Sequence, residues 1–482
     1  MELAAPTPAK VAEFVIEFES SHGAKTHIQC SGSGEFFLKD HVTARVNRSS
    51  SCKRPVAEHL ESLNSRYRES LSVDECSQTA CRHNDSLAIC MIVENLPVPP
   101  DRRVWKEALA LREAGYRVAV ICPKGHGFMQ SYEILDSIEV FRHSKREGSS
   151  RLDYVFEYIW ALVSEFLLTL KVYIRTPFRV IHACNPPDLI FLIGIFFKLF
   201  GVRFIFDHHD PAPELYEVKF GRKGFFYRLV QFAERLTFAI ADVVISSNES
   251  LRQIAIKRGG VSEQRSYVVQ GCPDLRDFSL ISTQIELKEG HKYLVVYLGY
   301  MGTQDGVDLL LDSIGYLVHS RRRTDTLFVF IGSGTEKPRL QTRASELGVD
   351  NHVRFTGALY GDRLLAYLAS ADVGVAPDPS NSLNDKLTMI KIFEYMACGL
   401  PIVLFDLPEG HRTAGDAALY AKANDPIHFG EQIQILLDSE SLRRQLGERG
   451  WTYVRRGLNW SAQKPILLRA YADCLASSHL TP

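Results

Sequence analysis

The sequence predicts an α/β protein made of two doubly wound parallel sheets, and three observations carry that expectation. From Ser86 onward, short apolar runs alternate with stretches of helical period, a pattern that folds as a parallel sheet with right-handed crossovers. The series breaks off and starts afresh near Lys292, so two sheets are expected. The chain has 482 residues, more than one ordinary hydrophobic core takes up.

Each element has a local reason. Residues 1–84 stand apart, because Val46 to Gln78 is polar, poor in aromatics and without sustained strand alternation. Such a segment buries too little apolar surface to offset its ordering entropy. It is expected to be a largely disordered N-terminal extension, with at most a charged helix over Glu58 to Leu71. In residues 85–285, Ser86–Val93 is a buried strand, Glu94–Asp101 a loop, Arg102–Gly115 a helix ended by its glycine, and Tyr116–Pro123 the next strand. Phe178–Asn185, Val202–Asp207, Asp242–Asn248 and Ser266–Gly271 continue the series, with a long helix near Arg222–Ala241. Ligands of such sheets sit at the carboxyl ends of strands, so the loops after Val93, Asn185, Asp207 and Gly271 should face a cleft. Residues 286–457 repeat the plan: Lys292–Tyr300 is a strand, Val307–Ser320 a helix, and strands follow at Thr326, His352, Ala371 and Pro401, then Ala417–Ala421. Residues 458–482 read as a final helix and tail.

Composition narrows the class. The chain is 45% hydrophobic and 23% charged, as a soluble globular protein is. A net charge of -1 gives no global attraction to nucleic acid, and no nucleic-acid partner is expected. The 10 cysteines are scattered without a CxxC pair, which favours reduced thiols in a cytoplasmic protein over a disulfide or zinc framework. The start lacks a basic region followed by an apolar core, so no signal peptide is expected. The most apolar run, Leu189 to Phe206, is interrupted by Lys198, Gly201 and Arg203. Its unbroken part is shorter than the roughly 18 residues of a membrane span, so a buried helix and a buried strand are expected there.

The stretch Asp385 to Val403, DKLTMIKIFEYMACGLPIV, carries the most chemistry. It reads as a loop, a helix stopped by Gly399 and Pro401, and an apolar strand. Lys391 and Glu394 stand three apart and share a helix face. A carboxylate accepts hydrogen bonds from a ribose diol, while an ammonium and free helix-start amides neutralise phosphates. That combination suits a nucleotide sugar.

At these residues the chain resembles the retaining glycosyltransferases of family 4. The resemblance implies the GT-B fold: two facing Rossmann-like domains, with a C-terminal helix crossing back to the first. The family's signature helix carries two glutamates separated by seven residues, and Glu394 matches the second, at the start of EYMACG. The position of the first holds Lys386, a departure similar to the NDK-TM-KI-EYMA run of some bacterial members acting on surface polysaccharide. The resemblance also implies a histidine near the donor sugar, matched by His209, and base contacts near Gly357. Where the family has an arginine and a lysine gripping the donor phosphates, this chain has Tyr300 and Asp305 beside Gly299 and Gly302.

The expected catalytic set is therefore His209, Glu394 and Lys391, with a surface ion pair as the bland alternative for the last two. Lys386, Thr388, Met389, Gly302 and Gly357 are the expected donor contacts; a solvated lysine and an ordinary helix start compete with that role. His208, Arg102 and Arg103 are expected on the acceptor side, against the alternatives of a self-stabilised turn and a packed helix start. No metal site is expected, since adjacent histidines on an extended segment point to opposite sides. Gly332 to Thr335, GSGT, is read as an ordinary glycine turn rather than a phosphate loop. The apolar helix around Val155 to Val172, flanked by Lys145, Arg146, Arg151, Arg175 and Arg179, fits core packing and peripheral membrane docking equally.

The expected function is transfer of a sugar, with retention, from a nucleotide diphosphate sugar to a saccharide or polyprenyl-linked acceptor. It needs no cofactor besides the donor, and it takes place in the cytoplasm or at the inner membrane face. A catalytically weak GT-B binding protein and a nucleotide-sugar epimerase are the alternatives.

Overall fold

A computed structural model describes residues 14–19, 25–30, 87–125, 127–144, 151–221, 223–278 and 282–476. The chain divides into two compact units, Met1–Gln78 and Thr79–Pro482. In the first, strands β1 (Phe14–Glu19) and β2 (Lys25–Cys30) pair antiparallel with Phe14 opposite Cys30. The sequence reading names no strand in this stretch. Phe14, Ile16 and Phe18 recur with the period of two that a strand requires, outside the polar stretch Val46 to Gln78. The helix expected over Glu58 to Leu71 lies outside the described residues.

In the second unit, the first sheet comprises β3 (Ala88–Val93), β4 (Arg117–Pro123), β5 (Tyr132–Leu135), β6 (Ile138–His143), β7 (Val180–Cys184), β8 (Arg203–His208), β9 (Val243–Ser246) and β10 (Ser266–Val268). Their spatial order is β10-β9-β8-β7-β3-β4-β6-β5. All pair parallel except β5, which returns on β6 through Asp136 and Ser137, both at positive φ, as a two-residue hairpin turn demands. Helices α1 (Arg102–Glu113), α2 (Arg151–Arg175), α3 (Phe191–Lys198), α4 (Ala212–Phe220), α5 (Phe225–Ile240) and α6 (Glu249–Lys257) cover the sheet. Asp101 caps α1 by accepting from Val104 N at 3.1 Å.

The second sheet holds β11 (Tyr293–Leu298), β12 (Thr326–Ile331), β13 (Val353–Gly357), β14 (Val373–Ala376), β15 (Ile402–Phe405) and β16 (Ala418–Ala421), all parallel, in the order β13-β12-β11-β14-β15-β16. Its helices are α7 (Val307–Gly315), α8 (Lys337–Glu346), α9 (Gly361–Ser370), α10 (Ile390–Ala397), α11 (Pro408–Ala414), α12 (Pro426–Asp438) and α13 (Glu440–Arg456). In both sheets the strand order reverses beside the first strand, between β3 and β7 and between β11 and β14. Crevices open at such reversals, outside the carboxyl ends of the strands.

Each sheet is buried on both faces. In the first, Met91 and Ile245 pack with Leu111 of α1 and with Leu467 and Tyr471 of the final helix α14 (Trp460–Ala476). Cys90 and Phe204 pack on the other face with Val172, Phe197 and Phe238. Helix α14 follows the second sheet in sequence and packs on the first, so the chain crosses between them twice. The two crossings meet where Trp460 N donates to Pro273 O at 2.9 Å. This is the GT-B plan.

One burial expectation is corrected. Helix α3 turns Leu192 and Ile195 outward, and Leu199 and Phe200 behind it are also exposed. Only the face carrying Ile193 and Phe197 reaches the sheet.

Candidate functional site

A cleft of about 1160 Å3 lies between the two sheets, lined from both domains and from α14. The loop after β3 and the start of α1 contribute Asn95, Arg102 and Arg103; the loop after β8 contributes His209 and Asp210. From the second domain come Gly299, Tyr300 and Asp305 after β11, then Thr388, Met389, Lys391 and Glu394. Of the residues expected from sequence, the structure thus brings Glu394, Lys391, Thr388, Met389, His209, Arg102 and Arg103 into one cavity.

Glu394 is buried on α10, and its Oε1 accepts from Arg102 Nη1 at 2.5 Å across the cleft. Arg102 itself is more than half exposed, so this pair costs little to break. Helix α10 begins at Met389 without a side-chain cap, which leaves first-turn N–H groups without a side-chain acceptor beside the cavity. The Thr388 hydroxyl is not free, because it accepts from Asn248 Nδ2 at 3.2 Å and donates to Glu409 at 3.3 Å.

Both lysines expected to face phosphates are committed elsewhere. Lys391 Nζ donates to the two oxygens of buried Asp378 at 2.9 and 3.0 Å and lies 4.8 Å above the Tyr297 ring. Gly299 makes room for it, since a Cβ there would come within 3.3 Å of Lys391 Cε. Asp305 adds a second carboxyl beside the pair; burial and Asp378 outweigh Lys391 and push its pKa up to about 6. Lys386 turns away from the cavity, donating to Ser382 O at 2.5 Å and facing Glu214 of α4 at 3.5 Å. Arg102 brings a largely exposed guanidinium to the cavity, held there by Glu394.

Beneath the first domain's side of the cleft lies a buried polar cluster. Arg103 donates to Asp207 Oδ1 at 2.8 Å and to Val269 O at 2.6 Å, so its guanidinium is a framework group rather than an acceptor contact. Asp207 Oδ2 lies 2.6 Å from His209 Nε2. Arg103 Nε is 3.0 Å from the same nitrogen. The shorter contact makes Nε2–H the donor to Asp207 and leaves Nδ1 as the ring nitrogen available to a ligand. Burial works against the imidazolium, but the Asp207 carboxylate overrides it and raises the His209 pKa above its ordinary value. Burial likewise opposes the Asp207 charge, yet Arg103 and His209 hold its pKa well below the usual range. Glu107, buried behind them next to Asp207, is pushed up to about 7. Tyr471 of α14 closes the cluster, its hydroxyl 2.7 Å from His182 Nδ1.

Three further expectations are corrected. His208 is fully buried on the opposite face of β8, stacked on Phe206 and edge-on to Phe238; strand alternation sends it away from its neighbour. Burial lowers its pKa to about 3. Gly302 lies outside the cavity lining, with its N–H given to Asp305 Oδ2 at 2.8 Å. The Gly357 carbonyl accepts from Gly332 N at 2.9 Å, and Gly357 also lies outside the lining. Gly332 has its own cause: at φ +147 a Cβ would sit 1.8 Å from Gly299 O, so the GSGT turn is glycine for backbone-to-backbone packing. Asp378 went unforeseen, although its place just after β14, at the strand-order reversal, marks it.

Two family models match the chain: a glycosyl transferase 4-like domain over residues 100–270 and a glycosyl transferases group 1 domain over residues 292–439. The chain is 25% identical over 240 residues to the chitobiosyldiphosphodolichol beta-mannosyltransferase of Candida albicans, covering 46% of this chain and 52% of that protein. It is 28% identical over 186 residues to the phosphatidyl-myo-inositol mannosyltransferase of Mycobacterium leprae, covering 38% of this chain and 47% of that one. The chain thus spans about half the length of these curated relatives. Among solved structures, the sucrose-phosphate synthase of Thermosynechococcus elongatus superposes with a TM-score of 0.67 at 17% identity, over 81% of this chain and 100% of that one. WaaG, a glycosyltransferase involved in lipopolysaccharide biosynthesis, superposes with a TM-score of 0.59 at 17% identity, over 79% and 98%. The two domain matches, in the order and at the places of the two sheets, put the chain in the GT-B glycosyltransferase superfamily.

Proposed function

We propose that the chain transfers a sugar from a nucleotide diphosphate sugar to a saccharide or polyprenyl-linked acceptor, retaining the anomeric configuration. The observation that carries this reading is the convergence of Glu394, the uncapped start of α10 and Arg102 on one cavity that also exposes His209. In this reading the donor ribose takes Glu394 and so releases Arg102. The freed guanidinium and the first-turn N–H groups of α10 then stabilise the charge building on the leaving diphosphate. His209 hydrogen-bonds a hydroxyl of the transferred sugar. No cofactor besides the donor is assigned to this step, since no DxD run stands in the cleft loops.

The acceptor is placed at a membrane surface that the protein meets without crossing. Ile159, Val163, Leu167 and Ile174 form an exposed stripe on α2. Leu199 and Phe200 after α3, and Phe225, Phe226, Leu229 and Phe232 on α5, are exposed as well. Ring contacts of Phe166 with Phe196 and of Tyr173 with Phe200 join α2 to the α3 region. Lys171, Arg175, Lys219, Lys223 and Arg228 are exposed on the same elements or beside them. Lys145 and Arg146 lie outside the described residues. Among the described residues no helix is long and apolar enough to cross a membrane. The names of the mannosyltransferases carry lipid-linked or lipid substrates, which supports the same placement.

The test is a screen of nucleotide diphosphate sugars with lipid-linked and free saccharide acceptors, followed by NMR of the product's anomeric centre. Product with inverted configuration, or none with any donor that stabilises the protein thermally, would overturn the reading.

A further inference from the structure

Three acceptor groups meet behind the loop that leads from β3 into the cleft. Glu94 directly follows β3, His143 ends β6, and Glu165 lies midway along α2. One ligand atom from each lies within 4.8 Å of the others, and His143 Nε2 is 3.2 Å from Glu94 Oε2. All three residues are more than nine-tenths buried, and Glu165 completely so. Among the described residues, no Lys, Arg, amide or hydroxyl group donates to either oxygen of Glu165, which faces the Glu94 carboxyl, and His143 Nε2 makes no hydrogen bond.

His143 Nδ1 faces Ser144 O at 3.4 Å, a contact that only an Nδ1–H can make. With Nδ1 so engaged, Nε2 is the ring nitrogen that faces the two carboxyl groups. No lysine or arginine among the described residues pairs with Glu94 or Glu165. Helix α2 thus buries the Glu165 carboxyl group completely with no Lys or Arg opposite it, a costly choice unless a cation fills the gap.

We propose that Glu94, His143 and Glu165 bind one divalent cation of the Zn2+ class. One imidazole and two carboxylates, with an open fourth position, form a Zn2+ ligand set, and a backbone carbonyl on the other ring nitrogen is the usual way such a histidine is oriented. Mg2+, which favours oxygen ligands and keeps its waters, fits this buried site poorly. The bound cation would clamp α2 to the loop whose Asn95 and Leu96 line the cleft, joining the exposed apolar helix to the cavity wall. This inference does not rest on the proposed transfer reaction.

The full chain, stripped with a chelator and dialysed against Zn2+ alone, should retain one equivalent by elemental analysis, and Mg2+ should not displace it. Glu165→Gln and His143→Gln, with folding checked by circular dichroism, should each weaken Zn2+ binding at least tenfold. Retention of no Zn2+ by the wild type would leave a protonated carboxyl pair or an imidazolium–carboxylate pair and overturn the proposal. Binding that survives both substitutions is adventitious and overturns it too. A measurement needing no variant is Co2+ added to the stripped wild type: it should give the d–d absorption of a low-coordinate site, removed by Zn2+, and a spectrum of hydrated Co2+ would refute the site.

Discussion

Glu394, Arg102, Lys391 and His209 share one cavity but answer to different partners, so their substitutions should separate. Glu394→Gln keeps the size of the side chain and removes a charged acceptor, which costs on the order of 1.5–3 kcal/mol of donor binding. Calorimetry with the nucleoside diphosphate should show that loss in a folded protein, and unchanged affinity would remove Glu394 from the ribose. Lys391→Ala should act through stability instead. It strands buried Asp378, and breaking a buried pair in this way costs about 3–5 kcal/mol, read as a lowered Tm. Arg102→Ala should barely move Tm, because the guanidinium is largely exposed, yet it should weaken the nucleoside diphosphate more than the bare nucleoside. Equal losses for the two ligands would mean that Arg102 does not meet the phosphates. His209 should titrate by NMR above the ordinary histidine value of about 6.5, since Asp207 favours its charged form. With the folded pKa raised, its contribution to stability is complete below the unfolded pKa and is lost as pH rises through the folded one. A midpoint at or below 6.5 would show that Asp207 does not stabilise the imidazolium. The sequence showed these residue types at the right loops but not their commitments. Asp378 is 13 residues from Lys391, and Glu214 belongs to the other domain from Lys386, so only the fold reveals that both ammonium groups are spoken for.

The elements legible in the sequence were those with a single structural answer. Strands such as Ala88–Val93 and Thr326–Ile331 are buried at every position, and continuous apolar runs of that length between helices have few other places to go. The β5–β6 hairpin was missed because Tyr132–Leu135 is four residues long and only partly buried. Helix α3 misled in another way, and α2 stayed open between core and surface: apolar positions on both faces look like core, and only the packed structure separates Ile193, Phe197 and Phe238 from Leu192, Leu167 and Phe232. That outward face should bind anionic vesicles at low salt and release them at high salt, since each nearby Lys or Arg adds about 1 kcal/mol at such a surface. Leu167→Glu combined with Phe232→Glu should abolish co-sedimentation while donor binding persists. Wild-type protein that stays in the supernatant at low salt would leave this face without a lipid partner.

At the scale of the whole chain, Met1–Gln78 and Thr79–Pro482 are separate compact units. Both sheets and the cavity belong to the second. A chain beginning at Ser86 should therefore fold and bind nucleotide as the full chain does, with Tm and calorimetry as the measures. Insolubility or lost binding would show that the first unit contributes to the fold of the second. Within that second unit the backbone passes between the domains at two points, and these are fastened together by Trp460 N and Pro273 O. Two tethers joined at one place act as a single hinge. They leave the domains free to rotate about that root but not to slide past or part from each other. Opening is then smallest at the root and largest at the rim, and the contacts it makes and breaks include Arg102 with Glu394, Lys386 with Glu214, Asn248 with Lys386 and Thr388, and Ser250 with Glu409. A donor that occupies Glu394 removes one of these latches, so its arrival also alters the balance between the open and shut positions of the jaw.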